Sequence, residues 1–136
     1  MFYPEIFEAY QEAIEVAENE YGIQLASSPK ALQQLEEILI EDIQSQGEIP
    51  EKEIDPDKRS QLWGAYLGET IRFVLGGYWL AEEDDLTLSV YRRVINPARY
   101  VRERLSGRDE KSVDGYYLEL LADIKRYVDG VVPEIS

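Results

Sequence analysis

The residues able to do chemistry in this sequence are carboxylates, arginines and tyrosines, because it has neither histidine nor cysteine. Without imidazole or thiolate there is no base-activated serine or cysteine nucleophile of the usual kind, no disulfide couple and no ordinary zinc site. One carboxylate stands out. Helical spacing puts Glu69 beside Leu62, Tyr66 and Phe73, at the border of an apolar arc. A half-buried carboxyl there is pushed up in pKa if unpaired and down if an arginine reaches it. Arg72 at i+3 is the local partner, and Arg92, Arg99, Arg102 and Arg104 are the distant ones. Glu69 then has two readings. It is a catalytic acid or base helped by Tyr66, Arg99 and Arg102, or a structural carboxylate tying its helix to the basic segment. The second is preferred, since structural ion pairs also perturb titration. No second carboxylate can be placed opposite Glu69, so a paired-acid glycosidase geometry has no support.

The other concentration of chemistry is a stripe of like charge. Glu5, Glu8, Glu12 and Glu15 fall three and four residues apart, and Glu37 and Glu41 repeat the spacing further on. Such pairs cost roughly 0.2–0.5 kcal/mol each on a helix, partly offset near its N-terminus by the helix dipole. A face kept this acidic is either simply solvated or recognises a basic protein surface, as an inhibitor, immunity factor or adaptor would need. The run Glu82-Glu83-Asp84-Asp85 lacks the alternating ligands and internal glycine of a calcium loop and reads as a solvated turn. No metal or cofactor is expected. The arginine-rich run from Arg92 to Arg108, with Tyr91 and Tyr100, superficially resembles a nucleic-acid surface. Its better use is to neutralise acids of its own fold.

Charge supports that reading. The 136 residues carry 28 acids and 14 bases, a net −14, so nucleic acid and anionic membranes are poor partners. The imbalance is polarised: up to Asp57 there are fifteen acids and two bases, and from Arg92 to Lys111 seven bases and three acids. No uncharged stretch, Ser60–Gly68 and Phe73–Ala81 included, exceeds about half the roughly 20 residues of a membrane span. The first residues, MFYPEIFEAYQEAIE, are acidic where a targeting peptide is basic. A cytoplasmic protein is expected.

The elements that must position these groups follow from periodicity and punctuation. Pro4 to Tyr21 places Ile6, Tyr10, Ala13, Ile14, Ala17 and Tyr21 on one side of a helix that Gly22 ends. Ser28-Pro29 opens a second helix with the seam Leu32, Leu35, Leu39 and Ile43, stopping at Gly47; GEIPEKEIDPD is a loop. A third helix, about Asp57 to Leu75, is apolar over well over half its circumference through Leu62, Trp63, Tyr66, Leu67, Ile71, Phe73 and Val74, and should be central. Gly76-Gly77 closes it. Gly64 and Gly68, four apart, call for close approach of another backbone. A β-hairpin follows, Tyr78–Ala81 and then Leu86, Leu88 and Val90 facing one way. Asn96-Pro97 starts a short helix to Leu105, and a last helix runs from about Asp109 to Tyr127 with Val113, Tyr116, Tyr117, Leu120, Leu121, Ile124 and Val128 as its apolar seam.

The stretch LWGAYLGETIRFVLGGYWLAEEDD, continued by LTLSVYRRVINPARYVRERLSG, resembles a family of small uncharacterised bacterial domains. Its pattern is GAYLGE, a Gly-Gly-x-Trp step, a short strand and a Pro-led helix ending in Arg-Leu before a glycine. Gly64, Tyr66, Gly68, Glu69, Gly76, Gly77, Trp79, Pro97, Arg104, Leu105 and Gly107 match it. The resemblance covers about the middle third of the chain and implies a fold, with no catalytic residue to carry over.

The expectation is one α+β domain over 1–136, mostly helical, with about five helices and one hairpin between the third and fourth. An acidic helical pair spans 4–47; the central helix, hairpin and closing helices span 57–130. The function expected is that of a non-enzymatic interaction protein recognising a cationic protein surface through Glu5, Glu8, Glu12, Glu15, Glu37 and Glu41. The alternatives are a small enzyme built around Glu69 and a structural subunit of a homo-oligomer.

Overall fold

The computed structural model describes residues 3–26, 28–45, 56–82 and 85–135, with the backbone alone for residue 56 and residues 127–135. The described residues form five helices and a three-stranded antiparallel sheet, an α+β arrangement that is mostly helical. In chain order these are α1 (Pro4–Tyr21), α2 (Lys30–Ser45), α3 (Pro56–Leu75), β1 (Tyr78–Glu82), β2 (Asp85–Val90), β3 (Arg93–Ile95), α4 (Pro97–Leu105) and α5 (Val113–Ile135). The expected stop of α2 at Gly47, most of the loop after it, and Glu83 and Asp84 of the acidic turn lie outside the described residues. So does the side chain of Val128.

The helix ends have local causes. Pro4 sits in the first turn of α1, and Gly22 closes the helix at φ 66°, with the Gly22 and Ile23 N–H groups donating to the Glu18 and Ala17 carbonyls. Asn96 caps α4 by accepting the Arg99 N–H at 3.0 Å. α5 starts at Val113, four residues later than its periodicity suggests. Asp109 uses its carboxylate to accept the Lys111 N–H at 2.8 Å in the turn before, and Ser112 is the residue that caps, accepting the Gly115 N–H at 3.0 Å.

α3 is the hub. α4 and α1 pack on it most extensively, and α2 and β2 also reach it, while α2 is held chiefly by α5, α3 and α4. Leu62, Trp63, Tyr66, Leu67 and Ile71 are buried as the apolar arc requires. Phe73 and Val74 are not: they are 62% and 42% exposed, because in the last turn of α3 the arc is wider than the elements packed on it. The two glycines of α3 serve close packing. A Cβ on Gly64 would lie 2.5 Å from the Ala98 Cα, and one on Gly68 would lie 2.3 Å from the Trp79 indole. α4 and β1 can therefore seat directly against the α3 backbone.

The sheet order is β1-β2-β3, with Trp79 opposite Leu88 and Val90 opposite Arg93. The hairpin expected from sequence is present, and β3 extends it. The second turn is Tyr91-Arg92, both with positive φ (47° and 69°), in the place where Asn-Gly is usual for a two-residue hairpin loop. No turn residue announces it, which is why the strand is invisible to pattern reading. Leu88 and Val90 are buried on one face of β2, and Thr87 and Ser89 are also buried on the other.

Candidate functional site

Glu69 lies in the buried middle of α3, where Gly68 beside it lets the Trp79 ring come in close. Its carboxylate is fully engaged. Arg72 donates Nε to Oε1 and Nη2 to Oε2, both at 2.9 Å, and Trp79 donates Nε1 to Oε1 at 2.7 Å. Burial pushes this carboxyl up, but the arginine fork and the indole N–H outweigh burial and hold it below its ordinary value. A carboxylate so held is a strong acceptor and a poor proton carrier near neutrality. The partner is thus the local arginine and a strand tryptophan, in place of the basic segment that the sequence suggested.

The other members of the alternative site are elsewhere. Tyr66 donates its hydroxyl to the Ala26 carbonyl at 2.7 Å and stacks on Tyr10 at 5.4 Å between centroids. Its own pKa is pushed up to about 12 by burial. Arg99 pairs with Asp85 at 3.5 Å and Arg102 with Asp57 at 3.2 Å. Glu69, Arg99 and Arg102 therefore make no common constellation.

The basic segment does contribute one buried latch. Arg104 forks onto Glu36 of α2 through Nη1 at 2.7 Å and Nη2 at 2.6 Å, and also donates Nη1 to the Lys111 carbonyl at 2.8 Å. Glu36 accepts the Val113 N–H, at the start of α5, at 3.0 Å. Burial raises the Glu36 carboxyl, and the bonds from Arg104 and Val113 bring it below its ordinary value. Three helices meet in this one pair. At the far end of α2, Asp42 is buried and accepts the Tyr21 hydroxyl of α1, whose pKa is raised by burial and then by that carboxylate.

The six acidic candidates are placed differently. Glu5, Glu8, Glu12 and Glu15 on α1, and Glu37 and Glu41 on α2, are all exposed. None of them takes part in an ion pair among the described residues. In the basic segment Arg104, Arg102, Arg99 and Arg93 are held by other acids, Glu36, Asp57, Asp85 and Asp123 in turn, the last at 3.0 Å. Polarity along the sequence is only partly cancelled within the fold, and the acids left over include those on the outer faces of α1 and α2.

On α1, away from its acidic stripe, lies a feature that the sequence reading missed. A cleft of about 510 Å³ opens between the start of α1 and the α3–β1 turn, lined by Tyr3, Phe7, Tyr10, Phe73, Tyr78 and Trp79 over a floor that includes the Glu69–Arg72 pair. Phe7 is 54% exposed and Tyr78 57%, so with Phe73 three large apolar side chains stand at its lip. The Arg72 guanidinium lies over the Phe73 ring, 5.1 Å from its centroid. The available signal was the aromatic spacing Tyr3, Phe7, Tyr10, one helical face at the N-terminus.

Among the described residues no group of three or more carboxylates is arranged to hold a metal ion. No described helix is long and apolar enough to cross a membrane. Comparison of the chain with protein families, with curated proteins and with solved structures finds no match.

Proposed function

We propose that the chain is a non-enzymatic cytoplasmic interaction protein that recognises a cationic protein surface through the acidic outer face of α1, in the manner of an inhibitor or adaptor. The single observation in its favour is the division of the acids. Other acids meet arginines of the same fold, the buried Glu36–Arg104 pair among them, whereas Glu5, Glu8, Glu12 and Glu15 are exposed, close in sequence and without a cation of their own among the described residues. Keeping like charges three and four apart on one helix costs stability, and attraction of a basic partner offsets that cost. The outer face of α2, with Glu37 and Glu41, adds to the same field. Enzymatic use of Glu69 draws no support from a carboxylate whose oxygens already accept three donors.

A titration tests the reading. The probe is an unstructured lysine-rich peptide, added to the full chain at about 0.05 M and about 0.5 M salt, which brackets the range over which exposed charges become screened. Binding is expected at low salt and lost at high salt. It should drop steeply in Glu8→Gln/Glu12→Gln/Glu15→Gln and survive in Glu69→Gln. Equal binding by the triple variant and the wild type would overturn the proposal.

A further inference from the structure

We infer that a second cavity, enclosed by α1, α3, the β1–β2 hairpin and the start of α4, binds a small organic cation: an apolar ring carrying one protonated amine on a short chain. The inference goes beyond the acidic-face reading and does not depend on it. The cavity measures about 380 Å³ and shares only Ile6 and Trp79 with the aromatic cleft. That volume lies near the lower end of the roughly 300–1,000 Å³ of small-molecule sites. Its lining is divided by burial. The buried part is apolar, Ile6, Gly64, Ala65 and Trp79, and the exposed part holds two carboxylates, Glu5 and Asp85. Trp79 gives its indole N–H to Glu69 at 2.7 Å, so what it offers the cavity is apolar ring. On α1, Glu5 and Ala9 are one turn apart and line the cavity with Ile6, whereas Glu8, Glu12 and Glu15 do not line it.

The lining itself selects the ligand. Among the described residues it holds two carboxylates and no lysine or arginine, so a cation is attracted and an anion repelled. Asp85 meets Arg99 at 3.5 Å with both side chains more than half exposed, a pair loose enough for an incoming amine to displace. A divalent metal is a poorer occupant. Two carboxylates fall short of the roughly six to eight oxygens that calcium takes, and no three metal-ligating side chains are grouped among the described residues. A polyamine would leave the apolar wall uncovered. A ring on a short aminoalkyl chain covers Ile6, Ala65 and Trp79 and leaves its ammonium at the exposed, carboxylate-bearing side.

The test compares three probes built on one skeleton: tryptamine, its alcohol tryptophol, and the anionic indole-3-propionate. Each is added to the labelled full chain at about 0.05 M salt while amide and indole signals are followed. Tryptamine should give saturable shifts at Gly64, Ala65, Leu86 and Ala98 and at the Trp79 indole. It should bind at least about fivefold more tightly than tryptophol, and indole-3-propionate should bind most weakly. Glu5→Gln/Asp85→Asn should remove the advantage of amine over alcohol, and Arg99→Ala, which releases Asp85, should increase it. Ala9→Leu, which fills the cavity from α1, should remove binding of all three probes. Glu5, Asp85 and Arg99 are exposed, and circular dichroism of each variant confirms its fold. Glu8→Gln/Glu12→Gln/Glu15→Gln should keep the tryptamine shifts, which separates this site from the acidic face. Equal affinity for amine and alcohol, shifts centred elsewhere, or an advantage that survives the double carboxylate variant would overturn the inference. So would a lysine-rich peptide that shifts these amides when tryptamine does not, since the cavity would then belong to a side chain of a partner protein.

Discussion

Arg104→Met is the perturbation whose consequence can be worked furthest. The guanidinium is 9% exposed and makes a two-point contact with Glu36, itself 17% exposed, at 2.6 and 2.7 Å. Removing it leaves a largely buried carboxylate with one remaining donor, the Val113 N–H, and leaves the Lys111 carbonyl without its arginine. Breaking one side of a buried pair costs about 3–5 kcal/mol, a large share of the roughly 5–15 kcal/mol that holds a domain of this size folded. The midpoint of thermal unfolding should fall by roughly 10–20 °C. Urea unfolding followed by far-ultraviolet circular dichroism measures it, on Arg104→Met, Glu36→Leu and the double variant. The double variant should lose less than the two singles together, because no charge is left buried and unpaired, though the Val113 N–H, left without its acceptor, keeps it below wild type. A loss under about 1 kcal/mol in Arg104→Met would refute the reasoning; so would strict additivity, since either result would mean that water already screens the pair.

Further expectations follow from the packing, the turn and the carboxylates. Gly64→Ala places a methyl 2.5 Å from the Ala98 Cα and should destabilise by about 1–3 kcal/mol in urea unfolding, although alanine is the better helix former. Tyr91→Asn relieves a left-handed residue at φ 47° and should raise stability by up to about 1 kcal/mol in the same assay. Glu36 and Glu69 are both held below their ordinary values, so each contributes stability that is complete above the unfolded carboxyl pKa of about 4.3 and is lost as pH falls through the folded value. The unfolding free energy should be level from neutrality to about pH 5 and then decline, less steeply in Glu36→Gln.

The parts of the fold legible in sequence were those written in local chemistry. Pro4 and Gly22 bracket α1, Asn96 and Pro97 open α4, and of the paired glycines of α3, Gly64 admits the Ala98 backbone, whereas Gly68 receives the Trp79 ring instead of a backbone. β3 was hidden because its turn uses tyrosine and arginine in a conformation that glycine and asparagine normally signal. Glu69 was recognised as a half-buried carboxylate, but its indole partner is set by how β1 folds back onto α3, and periodicity carries no such information. The Glu36–Arg104 latch joins residues far apart in the chain, and the aromatic cleft joins the first helical turn to the α3–β1 turn; both are products of tertiary packing. Gly64, Gly68, Glu69, Trp79, Pro97 and Arg104 hold α2, α3, β1 and α4 to one another. These packing contacts are separate from the acidic face proposed to act.

The most direct measurement of that face is residue-resolved. Two-dimensional amide spectra of the labelled chain, recorded while a lysine-rich peptide is added at low salt, report which surface the cation meets. The shifts should centre on the exposed side of α1, around Glu8, Glu12 and Glu15, and collapse when salt is raised. Shifts centred on α4 and β3, or spread evenly over every exposed acid, would contradict the claim that α1 carries the docking surface.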